Sequence, residues 1–205
     1  MNLNLILKYF TPRNILDIGV HRGQFYNNAK IIFTEASFFL IEGNTSCEPY
    51  IKELNVPYLI RVLGREKGLG VFYKTISTDA SSGESLYREI TPIFSEENII
   101  KEKVQIHTLN DIFSTEVFDL IKVDTQGSEI DILKGGSRII NHAKGIILEV
   151  SIERYNEGAP LYNDVVKFMD SIGFYEAERL DEVNFVTDFN LKVHQQDILF
   201  IKKNS

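Results

Sequence analysis

Two hydrophobic periods alternate along the chain. Four short runs are apolar on successive positions and bounded by Gly, Asn or Asp: Asn14–Ile18, Ser37–Ile41, Phe118–Val123 and Gly145–Val150. Continuous runs of this kind predict strands buried on both faces. Between the first two, Gln24–Phe33 places Phe25, Ala29 and Ile32 on one side at helical spacing. After the third, Ser128–Ile140 predicts a helix interrupted near Gly135 and Gly136. After the fourth, Leu161, Val165, Phe168 and Ile172 recur at near-helical intervals, with Gly173 as the C-cap. Strand, helix and strand in alternation imply parallel pairing, hence an α/β doubly wound sheet.

Other stretches read differently. Tyr58–Leu63 predicts a further sheet strand, Gly70–Ile76 a short antiparallel addition, and Thr78–Pro92 a polar surface loop. Phe174–Arg179 and Asp197–Lys202 predict an antiparallel pair closing the sheet. Asp181–Gln196 then reads as a long connection, of a length common in lids and substrate walls. Residues 1–205 form one domain on this reading, with 1–13 as a lead-in and 64–108 as an antiparallel and loop insertion.

Composition narrows the function classes. A hydrophobic share of 43% excludes wholesale disorder, and no run approaches the roughly 20 apolar residues of a membrane span. With 22 Lys+Arg against 29 Asp+Glu, the net charge of −7 argues against a bulk nucleic-acid binder. The lone cysteine, Cys47, cannot form an internal disulfide, and Met1–Phe10 lacks the features of a secretory signal. A reducing, cytoplasmic location follows as the expectation. His107, His142 and His194 have no metal-ligand spacing, so no metal is expected.

The first strand runs into Asp17-Ile-Gly19-Val-His21-Arg-Gly23 and then a helix. In a doubly wound sheet this turn lies at the topological switch point, where ligands bind. The second strand ends at Glu42, followed by Gly43 and Asn44. A carboxylate there, about 20 residues after the glycine turn, is placed to hold ribose hydroxyls. A dinucleotide fold wants G-x-G-x-x-G so that a pyrophosphate can touch the backbone. His21 occupies the second glycine position and would crowd that approach. The D-x-G-x-x-x-G pattern with acidic neighbours instead suits a ligand without phosphates and with positive charge, such as S-adenosyl-L-methionine. A purely structural reading of Gly19, Gly23 and Glu42, as packing glycines and a solvated strand end, stands beside this one.

Downstream, Asp124 stands at the carboxyl end of the third buried strand, next to the same crevice. Gly127 and Ser128 make the following turn, and Glu129 falls in the first helical turn, where the helix dipole favours negative charge. With Leu16–Phe25, Ile41–Asn44, Ile121–Gly135 and Ile147–Val150, the chain closely resembles the FkbM family of S-adenosylmethionine-dependent methyltransferases. The D-x-Q-G-x-E-x-x-x-L-K-G run is the family-specific part; the first glycine motif is shared by class I methyltransferases generally. The resemblance implies a Rossmann-like, mostly parallel seven-stranded sheet and O-methylation of a sugar, glycan or small natural product. It implies a donor site of Asp17, Gly19, Gly23, Glu42, Gly43 and Asn44, with Asp124 near the methionyl end. The chain departs from the family pattern at Val20–Arg22 and at Leu63–Arg65, where relatives often carry an adenine-seating Asp.

Methyl transfer needs the acceptor oxygen aligned behind the methyl carbon, and an aliphatic hydroxyl benefits from a base within hydrogen-bond reach. Asp124 is the first candidate and His21 the second. Glu149 ends the adjacent strand and is placed to share a proton with Asp124 or to hold a cation with it. Two other readings keep the fold: a non-catalytic ligand-binding module, and an NAD-dependent oxidoreductase, which His21 disfavours.

Overall fold

The computed structural model describes residues 1–76, 83–188 and 190–203. In chain order its elements are β1 (Asn14–Ile18), α1 (Gln24–Ile32), β2 (Ser37–Glu42), α2 (Glu48–Lys52), β3 (Tyr58–Ile60), β4 (Val62–Leu63), β5 (Gly68–Thr75) and β6 (Ile99–His107). They continue as α3 (Leu109–Ile112), β7 (Leu120–Val123), α4 (Glu129–Gly135), α5 (Ser137–Ile140), β8 (Gly145–Ser151), α6 (Tyr162–Ser171), β9 (Phe174–Val186) and β10 (Lys192–Lys202). The main sheet has seven strands in the order β3-β2-β1-β7-β8-β10-β9, and β4-β6-β5 form a second, three-stranded sheet.

Pairing is parallel from β3 through β8 and antiparallel at β10 with both its neighbours. The central strands are apolar at nearly every position because both faces are covered. Leu16 and Ile18 point into a core with Ile121, Ile146 and Leu148, covered by Ile132 and Leu133 of α4 and Met169 of α6. Ile15, Leu120, Ile147 and Leu199 form the opposite core with Phe25 and Ala29 of α1. Within residues 1–13, Leu3 and Ile6, on a 3-10 helix, are buried in this second core.

Three sequence expectations change. Tyr58–Leu63 is two strands, because the chain passes at Arg61 from the main sheet (β3) to the small one (β4). The span Asp181–Gln196 is mostly strand: β9 and β10 form one long hairpin, pairing as far as Val186 with Lys192. Its outer part carries exposed Val183, Phe185 and Val186, so it lacks the apolar signature of a buried strand. Residues 77–82 of the expected surface loop lie outside the described residues. The rest of that loop is anchored in the protein, with Ser85, Glu89 and Thr91 buried and Ser85 bridged to Tyr73.

Among the described residues no helix is long and apolar enough to cross a membrane. Strand order reverses between β2 and β7 on either side of β1, which opens a crevice beyond the carboxyl ends of these strands.

Candidate active site

That crevice is a cleft of about 360 Å³, within the range of small-molecule sites. Gly19, His21, Glu42, Gly43, Asn44 and Asp124 all line it. Asp17 and Gly23 do not. Strand alternation turns the Asp17 side chain onto the α1 face, where it is wholly buried and neither carboxylate oxygen has a hydrogen-bond partner among the described residues. Gly23 is the N-cap of α1. Both therefore stand behind the turn, outside the cleft lining.

The turn after β1 is held from two sides. Gly19 donates its N–H to the Ile41 carbonyl at 2.9 Å, and Asp124 donates its own to the Ile18 carbonyl at 3.0 Å. His21 has a left-handed backbone (φ 51°), and its N–H donates to Glu42 Oε2 at 2.7 Å. The Asn44 N–H donates to Glu42 Oε1 at 2.8 Å. Burial pushes the Glu42 carboxyl above the usual range, although these backbone donors oppose the shift. A carboxylate offers about four lone-pair sites, so with Gly43 as a third backbone donor Glu42 keeps spare acceptor capacity. Asn44 is itself buried and caps the next turn, accepting from the Ser46 N–H at 2.9 Å.

Across the cleft, a buried polar network surrounds Asp124. Lys122 and Asp124 lie two apart on one chain, and Lys122 Nζ donates to Asp124 Oδ2 at 2.7 Å. Gln126 Nε2 donates to Asp124 Oδ1 at 3.2 Å and also to Glu149 Oε2. Gln195 Nε2 reaches the same Glu149 oxygen at 3.2 Å. Burial raises the Asp124 carboxyl, but the Lys122 charge together with hydrogen bonds from Lys122, Gln126 and Glu149 holds it below the usual aspartate range. Burial, then the charges of Asp124 and Asp197, push Glu149 well above its usual value. Burial and charge thus move the two carboxyls in opposite directions, Asp124 down and Glu149 up.

Neighbouring residues frame this network. Glu129 is a turn-builder: its carboxylate accepts the Thr125 N–H at 2.8 Å and the Gly127 N–H at 3.0 Å. Ser85 Oγ lies 2.8 Å from the Thr125 carbonyl and 3.0 Å from that of Gln126, so the second sheet's loop buttresses the turn bearing the acidic pair. Sequence reading missed Lys122, Gln126, Glu84 and Gln195. A lysine inside an apolar strand two residues before an acid was the available signal for Lys122; Glu84 and Gln195 had none. Among the described residues no group of three or more His, Cys, Asp or Glu side chains is arranged to hold a metal ion.

The cleft thus joins a buried carboxylate, a second acidic centre and the apolar side chains of Val62, Leu63 and Phe72 from β4 and β5. Residues 17–176 match the Methyltransferase FkbM domain. No curated protein matches the chain. Similar solved structures include a SAM-dependent methyltransferase from Methanosarcina mazei, with 12% identity, a TM-score of 0.52 and 100% of both chains covered. Precorrin-6y C5,15-methyltransferase from Geobacter metallireducens GS-15 is also similar, with 12% identity, a TM-score of 0.51, and 98% of this chain and 86% of that one covered. A third is Burkholderia thailandensis 1,6-didemethyltoxoflavin-N1-methyltransferase, crystallised with S-adenosylhomocysteine, with 9% identity, a TM-score of 0.53, and 98% and 76% covered. At these identities the structures share the fold, and the family match adds the chemistry. The chain belongs to the FkbM methyltransferase domain family, whose members use S-adenosyl-L-methionine.

Proposed function

We propose that the protein O-methylates a hydroxyl group of a sugar, a glycan or a small natural product, with Asp124 as the proton acceptor. The observation that carries this reading is the cleft-lining Asp124 carboxylate held by Lys122 at 2.7 Å, opposite the Glu42 carboxylate. Glu42 would take the ribose hydroxyls on its free lone pairs, and the backbone at Gly19 and Gly43 lets the ligand lie close. Asn44 keeps Glu42 in place through its N–H, while Asp17 and Gly23 support the turn.

S-adenosylmethionine, when bound, supplies a methyl carbon already activated by its sulfonium. The chain's own task is then alignment and proton removal. With an acceptor hydroxyl in the cleft, Asp124 Oδ1 would accept its proton, and the donor would supply the methyl group and leave as S-adenosylhomocysteine. The Asp124 side chain is 29% exposed and Lys122 5%, so the carboxylate meets the cleft while its counter-ion stays dry. Gln126 fixes the Oδ1 direction. His21, on the donor turn, is the second residue placed to assist.

Titrating S-adenosylmethionine, S-adenosylhomocysteine and NAD while following melting temperature tests the donor half. The two adenosyl ligands should raise the midpoint and NAD should not; a shift with NAD alone rejects the reading. Incubation with a methyl-labelled donor and fractionated sugars, glycans and natural products tests the acceptor half. Label should enter an ether linkage, and label on nitrogen or carbon alone rejects O-methylation.

A further inference from the structure

Helices α4 and α6 contribute most of the lining of a second, open groove of about 570 Å³. Ile130, Ala159 and Phe168 give it apolar surface, and three cations stand along it: Lys134, Arg154 and Lys167. None of the three forms an ion pair among the described residues. The two carboxylates that line the groove are engaged by other donors. Asp131 accepts the Tyr87 hydroxyl at 2.8 Å, and Asp164 accepts the Leu161 N–H at 3.2 Å. Glu153, next to Arg154 in the chain, pairs with Lys192 at 3.0 Å. Lys134 Nζ lies 5.5 Å from the centroid of the Phe168 ring, a contact that orients the ammonium without neutralising it. Three cations against two acids run counter to a chain of net charge −7.

The groove borders the donor cleft. Leu86 and Tyr155 line the cleft, while their chain neighbours Tyr87 and Arg154 line the groove. Gly127 is the partition: a Cβ there would lie 2.7 Å from Ala159 Cβ and 3.1 Å from Tyr87 Cβ. Gln126, on the other side of that partition, lines the cleft and bonds Asp124. A molecule whose hydroxyl meets Asp124 can therefore cross this turn and carry its far end to the three cations. A phosphate monoester matches them, with three acceptor oxygens and a charge of about −1.5 to −2 at pH 7. Charge-assisted hydrogen bonds from Arg and Lys are strong and suit that group. We infer that the groove binds the phosphate of a phosphorylated acceptor through Arg154, Lys134 and Lys167. The inference rests on the reading of Asp124 above and narrows the acceptor to a phosphate ester.

Magnetic-resonance titration of the full chain with glucose 6-phosphate, inorganic phosphate, glucose and glucuronate tests the site. Glucose 6-phosphate should shift the backbone amides of Lys134, Arg154 and Lys167, and glucose should not. The double variant Lys134→Gln, Arg154→Gln should bind it about tenfold or more weakly, the scale of a hydrogen bond to a charged group. Its S-adenosylhomocysteine affinity should be unchanged, which shows that it folds. Equal binding by glucuronate would overturn the choice of phosphate, and binding of inorganic phosphate alone would overturn the assignment to an acceptor. With a methyl-labelled donor, phosphatase treatment of cell-extract fractions should remove the labelled product; label that persists would overturn the phosphorylated acceptor. If S-adenosylhomocysteine binds but glucose 6-phosphate does not, the groove inference is wrong and the donor reading stands. If glucose 6-phosphate binds the groove and S-adenosylhomocysteine does not bind, the donor reading falls, and the assignment of this phosphate to an acceptor falls with it.

Discussion

A Cβ added to Gly19 would lie 1.7 Å from the carbonyl oxygen of Asp124. The glycine that opens the donor turn is therefore also what lets the acidic strand end come close. Gly19 has φ +81°, a conformation that L side chains rarely adopt. Gly19→Ala should destabilise the fold by about 3 kcal/mol, from overpacking and backbone strain together. Urea denaturation measures the loss, and S-adenosylhomocysteine affinity should fall with it. An unchanged midpoint would show that the turn moves aside freely.

Lys122 and Asp124 make a second prediction. Replacing Lys122 by Met leaves the Asp124 charge in a largely dry setting and should cost about 2–3 kcal/mol at pH 7, below the usual figure for a fully buried pair because Asp124 meets the cleft. The folded-state pKa of Asp124 is lowered, so its stabilising contribution is present above its unfolded value and disappears as pH falls through the folded one. The stability gap between wild type and Lys122→Met should narrow below about pH 4. Methyl transfer should fall more than donor binding does, since Lys122 acts through Asp124.

Asp17 gives a pH dependence of opposite sign. Burial pushes its carboxyl up to about 7 against the pull of Lys122. The folded protein therefore binds a proton that the unfolded chain releases near pH 4, so stability from this group is full below that value and is lost as pH rises toward 7. Asp197 on the same sheet face is raised to about 7 for the same leading reason, burial. Melting temperatures from pH 4 to 8 should fall less steeply in Asp17→Asn than in wild type. Equal slopes would show that Asp17 is ionised throughout.

His21 separates backbone from side chain. Its N–H holds Glu42 while its backbone is left-handed, a region that Asn tolerates and β-branched residues do not. His21→Asn should keep S-adenosylhomocysteine affinity within about threefold, whereas His21→Val should lose about tenfold or more through strain of roughly 1–3 kcal/mol. If His21→Asn also abolishes methyl transfer at intact binding, the imidazole takes part in the chemistry.

The local reading of the chain carried far because each signal it used was short-ranged. Apolar runs bounded by Gly, Asn or Asp placed β1, β2, β7 and β8, helical spacing placed α1, α4 and α6, and the break at Gly135 and Gly136 separates α4 from α5. Parallel crossovers then put Gly19, Glu42 and Asp124 at one edge of the sheet. Only the tertiary structure decided which side chains reach the cleft. Asp17 turned away from it because alternation along β1 assigns it to the α1 face. Glu84, Ser85, Gln195 and Phe185 entered the cleft or its frame from segments with no local apolar period. The opposite displacement of the Asp124 and Glu149 carboxyls was equally out of reach. It depends on burial and on charges from β7, β8 and β10, which come together only when strands distant in sequence become neighbours in one sheet.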